Sequence, residues 1–175
     1  MKHLILLAVG LYWFTIFFIL AKWDIDKRKT ISDHMASGTP KKMYTASTLI
    51  YIPIILLFLW SWFLPTLSGS MFDYILVIVA GICLMLTSII PREGSKALPH
   101  DLLANVLGLS LYILVAHLAF SSTSGYVRVA SITILASILL IATLLREKDH
   151  RNYLLAQILY YGLMHVLIIF LTYTA

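Results

Sequence analysis

Apolar residues run along this chain in six long blocks, at about residues 3–21, 44–64, 72–90, 102–120, 126–145 and 153–172, with short polar connections between them. About 20 residues at 1.5 Å rise cross a hydrocarbon layer ~30 Å thick, so apolar runs of this length read as membrane spans. The pattern predicts an all-α integral membrane bundle of six transmembrane helices. It forms one domain over residues 1–175, with neighbouring spans antiparallel through short turns. Thr39-Pro40 reads as an N-cap followed by proline at the first helical position, which starts span two inside the preceding loop. Pro53 lies mid-span and removes one backbone hydrogen bond, predicting a bend there.

Polar residues inside the blocks recur at helical spacing. Tyr44, Ser47, Thr48 and Tyr51 share a face of span two, and Asp101, Asn105, Gly108 and Tyr112 form a stripe along span four. Tyr153, Gln157, Tyr161 and His165 recur every four residues along span six. Buried polar groups facing lipid lack partners, so these faces are expected to point into the bundle. Ala130, Thr133 and Ser137 on span five form a row of small residues of the kind that lets membrane helices approach closely. Asp73 and Asp101 are expected in the first turns of spans three and four, where a helix N-terminus favours negative charge.

Composition agrees with the pattern. The chain is 61% hydrophobic and 12% charged, with mean hydropathy +0.92, outside the range of soluble proteins. In a soluble chain the net charge of +5 would point to nucleic acid. Here the cations are sorted by side, which excludes that reading. The first, third and fifth connections hold Lys22, Lys27, Arg28, Lys29, Lys41, Lys42, Arg92, Lys96, Arg146, Lys148 and Arg151, eleven of the 13. Only Lys2 and Arg128 fall on the other side. Because translocating Lys and Arg is disfavoured, the odd connections are expected in the cytoplasm and both termini outside. Cys83 is the single cysteine, so no intrachain disulfide is available. The first block ends in Leu20-Ala21-Lys22 without a small-x-small cleavage site and is read as a retained helix.

The candidate chemistry lies mainly in the polar connections. Residues 22–42 carry nine of the chain's 21 charged residues. Two acid–histidine pairs, Asp33-His34 and His100-Asp101, have the groups needed for metal ligation or proton transfer, which makes His34, His100, Asp33 and Asp101 the catalytic candidates. No HExxH-type spacing accompanies them, and the alternative is that the carboxylates cap helices while the histidines sit at the wet interface. His117 and His165 lie on spans in the outer half and form a candidate pair of axial haem ligands. Gln157, Tyr161 and His165 could line a cavity for a headgroup, a quinone or a proton path, or could simply join helices.

Ile31-Ser32-Asp33, with Gly38 and Pro40 soon after and placed between spans one and two, resembles the motif loop of the damage-regulated autophagy modulator superfamily. Ile90-Pro91 at the close of span three, His100 at the start of span four and Arg151 before span six extend the likeness to the prokaryotic six-span branch, whose function is unknown. His34-Met35 stands where a small residue is usual after the acid. The charge count also puts the motif loop in the cytoplasm, whereas in the eukaryotic relatives it faces the lumen. The resemblance implies a lipid-related role in a prokaryotic cytoplasmic membrane and names no reaction.

The resulting expectation is a polar site facing the cytoplasm that handles the headgroup of a membrane lipid or other amphiphile. Its residues would be Ser32, Asp33, His34, Arg92, His100, Asp101, Asn105, Gln157, Tyr161 and His165, with Arg92 as the phosphate ligand. A metal- or acid/base-dependent membrane hydrolase or acyltransferase is the enzyme alternative, and a bis-histidine haem electron carrier is another. The uncharged outer turns leave room for a homo-oligomer or a membrane partner protein. The topology is directly testable. In a Cys83→Ser background, Ser122→Cys should react with an impermeant thiol reagent added to sealed cells and Ser37→Cys should not; the reverse labelling overturns the orientation.

Overall fold

The computed structural model describes residues 1–23, 26, 29–144 and 153–174, with only the backbone of Leu144. Lys27, Arg28 and the connection 145–152, including Arg151, lie outside the described residues. Every regular element among the described residues is helical. Helix α1 (Leu4–Lys22) is followed by a single turn, α2 (Ile31–His34), and by α3 (Gly38–Phe58). A π-helical segment, Leu59–Phe63, continues α3 into the short α4 (Leu64–Thr66). Then come α5 (Met71–Ile89), a 3₁₀ turn (Gly94–Lys96), α6 (Ala97–Ser121), α7 (Gly125–Leu144) and α8 (Tyr153–Thr174). Six helical stretches are long and apolar enough to cross a membrane, as the blocks predict.

The helices close into a ring. Helix α1 packs on α3, α3 on α5, α5 on α6, α6 on α7, α7 on α8 and α8 back on α1. Ile5, Ala8, Tyr12, Ile16 and Ile19 of α1 are buried at spacings of three and four, while Leu7, Phe14 and Phe17 of the same helix are exposed. Hydrophobicity on every face is what a membrane helix requires, because lipid tails accept the outer face as readily as the core accepts the inner one. The termini meet at one end, where His3 Nδ1 hydrogen-bonds the Tyr173 hydroxyl at 2.9 Å.

Two helices start with the same device. The sequences Thr30-Ile31-Ser32-Asp33 and Ser70-Met71-Phe72-Asp73 each place a hydroxyl at the N-cap and a carboxylate three residues on. Each forms a reciprocal capping box that satisfies two otherwise orphan N–H groups. At α5 the Asp73 carboxylate, 2% exposed, also lies 2.7 Å from His117 Nδ1 of α6. It therefore joins the two helices that share the longest seam.

Several expectations change in detail. The N-cap of α3 is Ser37 and Gly38 is already helical, so Pro40 occupies the third position rather than the first. Gly38 takes φ +64° at that entry, a conformation that a side chain would strain. Helix α3 continues through Pro53, and span two then passes into a π segment at Leu59–Phe63. Helix α6 begins at Ala97, with Pro99 tolerated in its first turn, so Asp101 sits beyond that turn and does not cap the helix. The buried face of α7 is Val127, Ser131, Ile134, Leu135 and Ile138, and not the Ala130–Thr133–Ser137 row. Thr133 can face outward because its hydroxyl donates to the Val129 carbonyl of its own helix at 2.9 Å.

Asp73→Ala should cost roughly 2–3 kcal/mol, since it removes both the cap and the His117 partner. Thr133→Val should stay within about 0.5 kcal/mol, as outward-facing substitutions usually do. Unfolding of the two variants in detergent checks the pair, and equal losses would contradict the helix seam described here.

Candidate functional site

The short helix α2 is docked to the end of the bundle by three contacts. The N–H of Ile31, an orphan donor at the start of α2, donates to Oε1 of Gln157 on α8 at 2.8 Å. Ile31, Met35 and Ala36 are buried beneath it. From the turn between α5 and α6, Arg92 Nη1 donates to both oxygens of Asp33, at 3.0 and 3.1 Å. The other edge of the same guanidinium, Nε and Nη2, donates to the two oxygens of Asp101, the second at 3.2 Å. Arg92 therefore bridges the first connection to the start of α6, and the two polar connections fold against each other.

Burial alone would push the Asp33 carboxyl up. The Thr30 N–H and hydroxyl, together with Arg92, outweigh it and hold the carboxyl below its ordinary value. The bond to Asp101, then opposition from burial, then the bond to Asp33 leave the Arg92 guanidinium with a raised pKa. The guanidinium thus stands between two carboxylates.

His100 is 2% exposed, and its Nδ1 lies 2.7 Å from the carbonyl of Ile90, just past the end of α5. A carbonyl only accepts, so Nδ1 carries a proton, and in that tautomer Nε2 is the ring's acceptor. Nε2 is buried and has no hydrogen-bond partner. Thr45 of α3 donates to the Ser88 carbonyl at 2.6 Å, so side chains from two other helices complete the C-terminal end of α5.

These groups enclose a cavity of about 500 Å³ lined by Thr30, Ser32, Arg92, His100, Asp101, Ala104, Asn105, Tyr153 and Gln157. Eight of the nine carry polar side chains. A volume of this size lies within the range of small-molecule sites, and convergent polar groups are what such sites use to orient a ligand. The chain matches no protein-family model, no curated protein and no solved structure.

The structure sorts the ten expected site residues into three places. Ser32, Arg92, His100, Asp101, Asn105 and Gln157 line the cleft. Asp33 reaches the cleft only through Arg92, and its own surface, with His34, lines a separate pocket of about 190 Å³ beside Trp23, Asp26 and Lys29. His34 is fully engaged there, with Nε2 accepting from the Asp26 N–H at 3.0 Å and Nδ1 at 2.8 Å from the Thr30 carbonyl. It folds the loop and leaves no nitrogen for acid–base work.

Tyr161 and His165 belong to the bundle interior. His165 Nε2 lies 2.9 Å from the Tyr51 hydroxyl, within an aromatic group that includes Tyr12 and Trp13. They line an apolar slot of about 80 Å³, and a smaller pocket of about 20 Å³ shares Tyr12 and Tyr161 with the slot and Ser32, Ala104 and Gln157 with the cleft. At about 80 Å³ the slot is about half the volume of an engineered cavity that holds one benzene ring. The every-four row of α8 is thus split, with Tyr153 and Gln157 on the cleft and Tyr161 and His165 joining helices.

The haem expectation fares similarly. His117 is committed to Asp73 and His165 to Tyr51, on different helix pairs, and the structure does not bring the two histidines together. Among the described residues no three His, Cys, Asp or Glu side chains gather as metal ligands. Three cleft residues escaped the sequence reading as site residues, among them Tyr153, which it placed only in the polar row of span six. Thr30 is marked only by its capping-box spacing to Asp33, and Ala104 carries no chemical signal at all.

Because the folded Asp33 pKa is lowered, its contribution to stability is present above its unfolded pKa of about 4 and is lost as pH falls through the lower folded value. Arg92→Gln should cost roughly 1 kcal/mol at neutral pH, a figure discounted for a guanidinium about one-third exposed. The variant should also begin its acid unfolding at higher pH than the parent. Superimposable acid-unfolding profiles would show that the Arg92–Asp33 bond contributes nothing.

Proposed function

We propose that the cleft binds the polar head of a membrane amphiphile at the cytoplasmic face, with both chain termini on the outer side. The observation that carries this reading is the position of the cleft. A polar cavity of ligand size opens at the end of an otherwise apolar six-helix bundle, bounded by the basic connections. Its lining is polar where the head would lie. Exposed Leu102, Val106 and Leu109 on α6, the helix that carries Asp101 and Asn105, offer a tail an apolar surface continuous with lipid. The eleven-to-two division of basic residues supports the orientation.

On the same footing we propose that the chain is a prokaryotic relative of the damage-regulated autophagy modulator superfamily, resident in the cytoplasmic membrane. Ile31-Ser32-Asp33 supports that placement, because its residues start α2, line the cleft and receive Arg92. A second reading rests on one atom, the unpartnered Nε2 of His100. That nitrogen is a candidate base toward a hydroxyl in the cleft, as in a hydrolase or acyltransferase. Such an enzyme would release or transfer fatty acid from bound lipid, which simple binding does not.

Ala104→Trp places a large side chain in the cleft wall without touching the Arg92 bridge. Native mass spectrometry of protein extracted gently from its membrane should show bound amphiphile on the parent and several-fold less on the variant. A parent that carries none, or a variant that retains as much, overturns the proposal.

A further inference from the structure

The charge balance of the cleft narrows the kind of head it takes. Arg92, expected as a phosphate ligand, directs Nε and Nη2 to Asp101 and Nη1 to Asp33. One guanidinium between two carboxylates leaves the group with a net charge of about −1 at neutral pH, by the ordinary pKa values of these side chains. Among the described residues Arg92 is the sole Lys or Arg lining the cleft. Lys29 faces Asp33 and His34 in the separate pocket. A phosphate entering here would meet the Asp101 carboxylate and a cation whose donors are largely taken by Asp101 and, behind it, Asp33.

The remaining groups ask for donors. The Asp101 carboxylate is 41% exposed, so it can accept from a ligand as well as from Arg92. His100 offers a second acceptor, since its ring is 2% exposed, its Nδ1 is held by the Ile90 carbonyl, and its Nε2 is buried without a partner. A buried acceptor without a donor is costly, and native proteins rarely leave one unless something else supplies the proton. A cation bearing N–H groups answers both the excess negative charge and the bare lone pair.

We propose that the head bound in this cleft is a protonated amine, donating to Asp101 and to Nε2 of His100. Ser32, Asn105 and Gln157 line the rest of the wall and are available to its remaining polar atoms. This rests on the amphiphile reading above and adds to it a chemical class of head. A quaternary ammonium has the charge but no N–H, and a phosphate has the wrong sign.

The test varies the head at constant tail. Dodecylamine, dodecyltrimethylammonium and dodecyl phosphate are each doped at low mole fraction into maltoside micelles holding the full-length protein, and the thermal midpoint is recorded. Dodecylamine should raise the midpoint by several degrees, dodecyltrimethylammonium by clearly less, and dodecyl phosphate not at all. Asp101→Asn should abolish the dodecylamine shift. Because the ligand series is read on the parent protein, the test stands even if that variant folds poorly. Equal shifts from all three would mean that the tail alone drives binding, and a largest shift with dodecyl phosphate would mean an anion site; either overturns the amine assignment while leaving amphiphile binding intact. No shift from any of them overturns both.

Discussion

Helix ends beside a bilayer have a particular difficulty. The first N–H and last C=O groups lack intrahelical partners, and water is scarce to replace them. This protein meets the constraint with side chains from other helices, and those side chains build its cleft. Gln157 of α8 accepts from the Ile31 N–H, His100 of α6 and Thr45 of α3 serve the carbonyls at the end of α5, and Asp33 caps its own helix. Each satisfied terminus also holds one helix against another. The cleft is the space left where these contacts converge.

Arg92 adds charge to that framework. It joins two connections far apart in sequence by taking one carboxylate on each edge of its guanidinium, a geometry that a lysine ammonium cannot reproduce. Asp33 is the more enclosed partner, at 21% exposure against 41% for Asp101. The enclosed carboxylate anchors α2, and the open one remains accessible from the cleft. One ion-pair group thus has a half that anchors α2 and a half that faces the cleft.

The interior is organised differently. Tyr12, Tyr51, Tyr161 and His165 come from α1, α3 and α8 and meet edge-on or tilted, filling the bundle with amphipathic rings, two of which, Tyr51 and His165, hydrogen-bond each other. The slot beside them is small and apolar. The polar groups gather instead at the cleft, where His100 retains a buried acceptor whose partner the fold does not provide.

The six spans, their order and the polar faces of α3 and α8 follow from the sequence alone, because hydrocarbon thickness sets span length and buried polar groups avoid lipid wherever they occur. Most of the cleft was legible for the same reason, since Ser32, Arg92, His100, Asp101, Asn105 and Gln157 are polar groups at one end of apolar helices. What those groups do to one another was not legible. The sequence places an arginine near two aspartates without saying that its donors are taken, and it places His34 and His100 in matching acid–histidine pairs. Only the tertiary structure separates them. His34 uses both nitrogens inside its own loop, while His100 spends one on a neighbouring helix end and keeps the other bare. The row on α7 misled because a threonine that bonds its own backbone is no longer polar to its surroundings. Spacing identifies which side chains share a face, but which donors and acceptors remain free is decided when distant segments meet.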